Sequence, residues 1–447
     1  MKRRSFLSTA ILGSMSLVGG GASLLNSCSS SSQKGKLLTD AELNLPPLLN
    51  TAPDGKALRF GLIGCGGRGS GAALNLLHAG NDLSIVAIAD CLPDRLEACR
   101  KMLNENGQNI TTEKAYLGFD AYQKVLDSDI DAVIIALPSR FHPMMFEAAI
   151  KAGKHTFIEK PCAVDPAGVR KFLATAKQAE QKNLSVVCGT QRRHGLDYCD
   201  TYRRVASGMI GDIVGGSCYW MTGRIWYINR KPEWTDAEYL LRNWLNYPFM
   251  GGDSITDHHI HNLDVISWFM GNKVPVKASG FGAKVRPSLG NKYDLISVHY
   301  EYENGVTIAS GTRHIDDCSN KIGENLVGTK GRTNCQNTIW DHQGNVIWEY
   351  PYQSDEKGAR IPTYDYDQEH IDWVTSIRTN KPLNDAYNMG RSTLIALMGR
   401  NSAYTGKTIT WDEIMASNDI LGPDITTMGK VDYSDVHPLP GKESIFG

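Results

Sequence analysis

Short, fully apolar segments alternate with amphipathic ones through the first part of the chain. Each apolar run predicts a buried strand, and apolar positions at helical spacing predict a helix, as at 166–181. Buried strands that alternate with helices are typical of a parallel sheet with helices on both faces. We therefore predict a doubly wound α/β unit at 57–184, with strands at 58–63, 83–89, 132–137 and 155–158.

Beyond residue 184 the apolar runs are separated by turn residues rather than by helices. This spacing is typical of antiparallel strands, so we predict an α+β second domain at 185–447 with a mostly antiparallel sheet. Its expected strands lie at 214–220, 276–283, 296–302, 305–312 and 325–328, and its expected late helices lie at 368–377 and 390–403.

Residues 1–28 combine a basic start with an apolar stretch. An arginine pair precedes the small and apolar residues 10–25, and Leu-Asn-Ser-Cys ends the segment at Cys28. This arrangement resembles a twin-arginine export signal with a lipoprotein cleavage site, and a basic start before an ordinary apolar helix is the alternative. We expect an exported protein, periplasmic or held at the membrane only by a lipid on Cys28. Residues 29–56 are then expected to form a tether.

Composition narrows the partners. The 447 residues carry a net charge of −1 without a basic run, which argues against nucleic acid as a partner. The 10 cysteines show no C-x-x-C spacing. Cys65, Cys162 and Cys188 lie in apolar or glycine-rich surroundings, which are typical of small buried residues.

A glycine-rich turn follows the first predicted strand. Gly64, Gly66 and Gly69 satisfy G-x-G-x-x-G, and the next strand ends at Asp90. Glycines there let the backbone approach a pyrophosphate, and an acid at the second strand end accepts hydrogen bonds from the ribose hydroxyls. The pattern predicts NAD as cofactor, with contacts from Gly64, Gly66, Gly67, Arg68, Gly69 and Asp90.

A polar helix is predicted within 251–264. Its Asp257, His261 and Asp264 are spaced four and three apart, so they are expected to share one helical face. A carboxylate one turn from an imidazole orients it for proton transfer. A solvated polar face is the plainer alternative, and zinc bound by Asp257, His258 and His261 is a third. We expect no metal.

Three motifs in this order resemble the Gfo/Idh/MocA oxidoreductases. They are the glycine loop, a strand ending in Glu159-Lys160-Pro161, and the helix Gly-Gly-x-x-x-x-Asp-x-x-x-His-x-x-Asp at 251–264. The resemblance covers about 58–406. It implies a Rossmann domain plus an α+β domain whose large open sheet serves oligomer contacts, hence a dimer or tetramer.

The resemblance also implies residue roles. Lys160 would lie beside the nicotinamide, with Asp257 and His261 facing the reacting hydroxyl carbon and His261 acting as acid and base. Ser139 departs from the Asn common in the family, as do Asp253 and His259 from glycine. The further cofactor-side residues implied are Pro138, His142, Glu159 and Pro161.

Residues 191–194 read Gln-Arg-Arg-His after a predicted strand. They are expected at the domain junction, holding sugar hydroxyls or the nicotinamide end, and an exposed basic turn is the alternative. The aromatic residues between 219 and 244 suit stacking on a sugar, but such clusters equally form cores. We assign Gln191 to the cofactor and Arg193, His194, Tyr227 and Asp264 to the substrate.

Export of a folded protein carries its cofactor into a compartment without a free NAD pool. We therefore predict an NAD-dependent oxidoreductase for a ring hydroxyl of a sugar or glycoside, with tightly bound NAD that is recycled internally. One alternative is a glycoside hydrolase that works by oxidation, elimination, hydration and reduction, similar to the NAD-dependent α-N-acetylgalactosaminidases that share this fold. The other alternative is a non-catalytic sugar-binding lipoprotein.

Overall fold

The computed structural model describes residues 36–287 and 289–441. The predicted export signal and Cys28 lie outside these residues. Among the residues described, no helix is both long and apolar enough to cross a membrane.

The segment expected to be a tether is part of the folded unit from Leu37 onward. Helix α1 spans Asp40–Leu43 and begins at Thr39, which forms a capping box with Glu42. Leu43, Leu45 and Leu48 then pack against the core. The prediction of a tether up to residue 56 is therefore wrong for 37–56, because a few well-spaced leucines dock this segment without any helical or strand periodicity.

The first sheet is parallel and has six strands in the order β3-β2-β1-β4-β5-β6, as predicted for a doubly wound unit. Its strands are β1 Leu58–Ile63, β2 Leu83–Asp90, β3 Ala115–Leu117, β4 Ala132–Ile135, β5 His155–Ile158 and β6 Val186–Cys188. Its helices are α2 Gly67–His78, α3 Pro93–Glu105, α4 Ala121–Leu126, α5 His142–Lys151 and α6 Pro166–Gln181. Because β6 pairs with β5, the predicted boundary after 184 falls one strand too early.

The second sheet has nine strands in the order β14-β13-β12-β11-β7-β10-β9-β8-β15, and only β7 and β10 run parallel to each other. Its strands are β7 Ile213–Thr222, β8 Lys277–Ala283, β9 Leu295–Glu301, β10 Thr307–His314, β11 Lys321–Gly328, β12 Arg332–Thr333, β13 Thr338–Trp340, β14 Val346–Glu349 and β15 Ile409–Thr410. The remaining helices are α7 Leu196–Ala206, α8 Asp236–Arg242, α9 Pro248–Gly251, α10 Ser254–Asp257, α11 Ile260–Phe269, α12 Asp365–Arg378, α13 Ala386–Thr405 and α14 Trp411–Ala416.

One face of the second sheet is covered by helix α13. The Tyr300 hydroxyl donates to the carbonyl of Ile395, and Gly399 lies where any Cβ would come 2.1 Å from that hydroxyl oxygen. The other face carries Phe281, which is 63% exposed and stands in register with Tyr219 across the sheet. An exposed aromatic residue on a broad sheet suits the predicted oligomer contact, which stays a prediction.

Helix α12 returns from the second sheet to the first. Trp373, fully buried on this helix, packs edge to face against Phe60 and also contacts Phe157. The late helix thereby closes the side of the parallel sheet next to β6 and lies against α2.

Candidate active site

A cavity of about 760 Å³ lies at the carboxyl ends of the parallel strands. This edge is where doubly wound sheets bind ligands. Residues at the ends of β1, β2, β4, β5 and β6 form one wall, and the segment 220–261 forms the other. The predicted residues that line it are Gly64, Gly66, Gly67, Arg68, Gly69, Asp90, Pro138, Glu159, Lys160, Gln191, Asp257 and His261.

The glycine turn is shaped by close backbone approach. Gly64 has φ +99°, and a Cβ there would stand 2.2 Å from the carbonyl oxygen of Ala136, which directly follows the neighbouring strand β4. A Cβ on Gly69 would stand 1.9 Å from the carbonyl oxygen of Gly64. Gly66 is the N-cap of α2, so the first N–H groups of this helix point into the cavity.

Asp90 ends strand β2 at the cavity wall. Its carboxylate accepts the N–H of Cys65 at 2.7 Å and that of Leu92 at 2.8 Å, which fixes its orientation. Burial raises the pKa of Asp90, while these N–H groups lower it. Arg95 also lines the cavity, with Nη1 2.9 Å from where a Gly66 Cβ would stand; the sequence analysis did not single it out.

Arg68 links three elements. Its Nε donates to Glu159 Oε1 at 2.5 Å, its Nη2 donates to Glu369 Oε1 at 2.8 Å, and its guanidinium lies 4.6 Å from the ring centre of Tyr366. Burial opposes its charge, but Glu159 and Glu369 raise the pKa of Arg68. Gly189 leaves room for this network, since a Cβ there would come 2.4 Å from Glu159 Oε2.

His142 and Pro161 support the cavity without lining it. His142 is fully buried, and its Nδ1 lies 2.6 Å from the carbonyl oxygen of Pro161. Burial lowers the pKa of His142. Neither residue reaches the cavity, so their predicted direct contact with the cofactor is corrected to support of the loop that follows β5.

Lys160 and Asp257 meet across the cavity. Lys160 Nζ donates to the backbone oxygen of Asp257 at 2.6 Å and lies 3.4 Å from its Oδ1. Burial raises the pKa of Asp257, and the charge of Lys160 lowers it. The contact holds the ammonium between the parallel sheet and the second domain.

The predicted helix at 251–264 is broken. Helix α10 ends at Asp257 and α11 begins at Ile260, so Asp257 and His261 do not share one helical face. Asp257 Oδ2 lies instead 3.1 Å from Nδ1 of His258, without the alignment of a hydrogen bond. The prediction that Asp257 orients His261 is therefore wrong.

His258 and His261 both line the cavity and both lie against Trp220, with ring centres 5.5 and 5.9 Å from it. Burial, together with Lys160 and Lys292, lowers the pKa of His258 to about 3. Burial also lowers the pKa of His261 well below its usual value, assisted by Lys160. Both imidazoles are therefore neutral at neutral pH.

Three residues assigned to the substrate lie outside the cavity. Asp264 accepts two hydrogen bonds of 2.8 Å from the buried Arg193. His194 is held by Asp372 at 2.8 Å and by Asp385 at 3.4 Å. We correct the assignment of Arg193, His194 and Asp264: they form buried ion pairs that join helices.

Tyr227 also lies outside the cavity, 43% exposed, with Arg224 over its ring at 5.2 Å. Its neighbours Trp226 and Ile228 line the cavity in its place. We name the apolar wall made by Trp226, Ile228, Leu241, Trp244 and Leu245 the cover.

Arg242 fastens the cover to the first domain. It donates to Asp94 on α3 at 2.7 and 2.9 Å and to Glu238 on its own helix at 3.0 Å. The aromatic residues between 219 and 244 predicted stacking on a sugar and not closure of the cavity, because the apolar cover residues Ile228, Leu241 and Leu245 carry no distinguishing signal in the sequence.

Residues 58–187 match the family model described as an oxidoreductase family with an NAD-binding Rossmann fold, and residues 200–333 match the GFO/IDH/MocA C-terminal domain. The chain belongs to the Gfo/Idh/MocA family.

Similar proteins of this family differ in activity. A glycosyl hydrolase family 109 protein from Shewanella pealeana is 27% identical over 52% of this chain. The match spans about half (51%) of that relative's own length. A myo-inositol 2-dehydrogenase from Thermotoga maritima is 25% identical over 66% of this chain and 82% of its own length.

Solved structures show the same fold. An aldose-aldose oxidoreductase from Caulobacter crescentus has a TM-score of 0.61 at 16% identity, covering 79% of this chain and 100% of its own. GenD2 from gentamicin A biosynthesis, in complex with NAD, has a TM-score of 0.60 at 15% identity, covering 81% of this chain and 99% of its own.

The residues of this Gfo/Idh/MocA member fit NAD. The cradle between Gly64 and Gly69 is space that any Cβ would fill, and it opens onto the N-terminus of α2, which favours a pyrophosphate. Asp90 keeps acceptor capacity for ribose hydroxyls beyond its two N–H bonds. Gln191 also lines the cavity, and its Oε1 is buried with no partner in the described structure.

Within the described part of the chain, no group of three or more His, Cys, Asp or Glu residues is placed to hold a metal ion. The expectation that the protein binds no metal stays a prediction. Cys65, Cys162 and Cys188 are buried, as predicted.

Proposed function

We propose that the protein is an NAD-dependent oxidoreductase that acts on a ring hydroxyl of a sugar or glycoside. The observation that carries the proposal is one cavity containing both the glycine cradle and the group of Lys160, Asp257 and His261. A hydroxyl placed there meets an ammonium and a neutral imidazole together.

The chain's own residues handle the proton and the charge. When bound, NAD supplies the hydride acceptor. Lys160, held by the Asp257 carbonyl, stabilises negative charge on the substrate oxygen. His261 takes the hydroxyl proton at Nε2, since its Nδ1 is buried.

We further propose that the NAD is retained and recycled within each turnover. Leu241 and Trp244 of the cover pack in one apolar cluster with Leu92, whose N–H donates to Asp90, and Arg242 fastens the cover to α3 through Asp94. Release of NAD would require this ion pair and the apolar wall to open. Such enclosure supports slow cofactor exchange.

For the substrate we propose a polyhydroxylated ring. The similar proteins include a myo-inositol 2-dehydrogenase, which supports a cyclic polyol or sugar. The aromatic residues Trp220, Trp226 and Trp244 give the cavity faces on which a ring stacks.

A second candidate is a redox-neutral glycoside hydrolase. Relatives named glycosyl hydrolase family 109 proteins, 27% and 29% identical, favour it. It needs proton transfer at a carbon as well as at a hydroxyl, and two imidazoles line this cavity. Both candidates share the oxidation step.

We also propose an exported, lipid-anchored protein that assembles as a dimer or tetramer through the open sheet. The sequence of residues 1–28 supports export and the lipid anchor, and the exposed sheet face around Phe281 supports the assembly.

The test begins with the purified protein. Denaturation should release NAD, identified by its absorbance and mass. The folded protein is then mixed with a panel of glycosides, free sugars and inositols while reduction of its bound NAD is followed. Release of NAD and its reduction by at least one ring polyol support the proposal. The opposite outcome has two parts: denaturation releases no NAD, and the compounds bind without any reduction of NAD. It would replace the proposed oxidoreductase with a sugar-binding protein without catalysis.

A further inference from the structure

His258 has no role in the oxidation described above, yet it occupies the same wall as His261. It lines the cavity, and its ring meets His314 edge to face at 5.0 Å as well as Trp220 at 5.5 Å. The side chain is 28% exposed. Its orientation is therefore fixed by two rings, while one edge stays open.

The open edge is Nε2. Nδ1 of His258 is buried and lies 3.1 Å from Asp257 Oδ2. Nε2 is neither buried nor bonded to any described residue, so it faces the cavity. His261 has the same arrangement, with a buried Nδ1. Two imidazoles thus present Nε2 to one space.

Asp257 divides its carboxylate between the two groups beside it. Oδ1 lies 3.4 Å from Lys160 Nζ and Oδ2 lies 3.1 Å from His258 Nδ1. The acid that supports an imidazolium is therefore next to His258, whereas Nδ1 of His261 has no partner among the described residues. The 3.1 Å between Asp257 Oδ2 and His258 Nδ1 is within hydrogen-bond distance, and active-site hydrogen bonds often tighten in complexes.

We propose that His258 is a second general base, which removes a proton from the carbon next to the oxidised carbon of the substrate. The inference rests on the proposed function, because only a ketone makes that C–H bond acidic. The C–H bond breaks, the proton moves to Nε2 of His258, and the electron pair passes to the carbonyl oxygen as an enolate beside the Lys160 ammonium. Return of the proton restores the ketone. In elimination the electron pair instead re-forms the carbonyl and a C=C bond, the C–O bond on the next carbon breaks, and the departing oxygen takes the proton from His258 and leaves as an alcohol.

The assignment separates two proton transfers that one imidazole cannot perform together. His261 would hold the former hydroxyl proton while the ketone exists, so it is not available as a base. His258 takes no part in the first transfer, so its Nε2, which is bonded to no described residue, is available to accept the second proton. A dehydrogenase needs only the first transfer.

The test supplies the ketone directly and so bypasses the oxidation. Methyl 3-ketoglucoside and 2-keto-myo-inositol are incubated with the NAD-containing protein in D₂O, and deuterium at the adjacent carbon is measured by NMR. The wild type should accelerate exchange in at least one of them. His258→Gln should slow exchange at least about 100-fold, and His261→Gln should slow it far less.

His258→Phe provides a second variant, which keeps a ring between Trp220 and His314 without a nitrogen. Thermal unfolding checks that both variants fold, and His342→Gln, at an exposed turn, is the matched control. The inference would be overturned if the wild type accelerated deuterium exchange in neither ketone. It would also be overturned if both His258 variants exchanged deuterium at the wild-type rate. Reduction of bound NAD by a sugar in the same wild-type preparation would still support the oxidoreductase.

Discussion

At the scale of single residues, Lys160 and His261 reach one cavity from different domains and have separable tasks. Replacing either with Ala should slow hydride transfer by about 10²–10⁴-fold, because each supplies a positioned charge or proton acceptor. Single-turnover reduction of bound NAD measures this step. His342→Ala is the control, and near-native rates in both site variants would remove the mechanism.

His194 gives a pH dependence of stability. Burial opposes its charge, but the hydrogen bonds that His194 donates to Asp372 and Asp385 outweigh it and raise the pKa of His194 to about 10. A histidine whose pKa is raised by folding stabilises the folded state fully at a pH below its pKa in the unfolded chain, which is near 6.5. This stabilisation is lost as the pH rises through about 10. The unfolding free energy of the wild type should therefore approach that of His194→Gln between pH 7 and 10, by on the order of 3 kcal/mol.

Urea unfolding of both proteins across this pH range measures the difference between them. His342→Gln should follow the wild type throughout, since His342 is exposed. A constant gap between wild type and His194→Gln would show that His194 is uncharged in the folded protein.

The roles of Arg193 and His194 could not be predicted from the sequence. Arg193 and His194 were expected at the substrate because they follow a strand end, as Gln191 does. Only the fold brings Asp264 and Asp372 against them from 71 and 178 positions away, which turns them into buried ion pairs. Gln191 has no such partner and stays at the cavity.

At the scale of elements, the turn from β1 into α2 makes a sharp comparison between glycines. Gly69→Ala should destabilise the protein by about 1–3 kcal/mol or more, because its Cβ would stand 1.9 Å from the Gly64 carbonyl oxygen. Gly67→Ala should leave stability unchanged or slightly raised, since nothing lies within 4 Å of its Cβ. Thermal unfolding without NAD measures both, and equal stability losses would refute the packing argument.

The cover makes a prediction about NAD release. Arg242→Ala removes the contact to Asp94 that fastens the cover to α3, together with the contact to Glu238 on its own helix. We expect the dissociation rate of NAD to rise several-fold or more while the protein stays folded. Arg224→Ala is the control, because Arg224 is 63% exposed and its side chain contacts the half-exposed Asp316 and the exposed Tyr227 rather than α3. Stopped-flow displacement by a fluorescent NAD analogue measures the rate, and no change would mean the cover does not limit release.

Most elements of the parallel sheet followed from the apolar pattern, with β1, β5 and α6 at the predicted residues. The break between α10 and α11 did not, because the polar residues 257–259 carry neither proline nor glycine to signal an end. That break separated Asp257 from His261 and brought it to His258. Helical spacing in the sequence was thus not sufficient to identify which imidazole lies beside Asp257.

At the scale of the whole molecule, the two sheets are joined more closely than a two-domain prediction implied. Helix α12 follows the second sheet in the chain but packs with Trp373 on the first, and its Glu369 binds Arg68 of the glycine turn. The N-terminal segment docks there too, since the N–H of Leu48 donates to Asp372 at 2.9 Å. The segment that begins at Leu37 therefore contacts the helix that borders the cavity.

The last prediction joins location to mechanism. The proposed export signal with Arg3 and Arg4 would carry a folded protein, and a folded protein can leave with NAD already bound. Beyond the cytoplasm no NAD pool would refill an emptied site. We therefore expect the full-length protein in the membrane fraction with NAD bound, NAD that survives extensive dialysis, and substrate turnover without added cofactor. A variant with Arg3→Lys and Arg4→Lys should stay inside the cell with NAD bound equally well, which separates export from cofactor retention. Recovery of NAD-free protein after mild purification, active only with roughly millimolar added NAD, would contradict retention and leave a dehydrogenase that exchanges its cofactor.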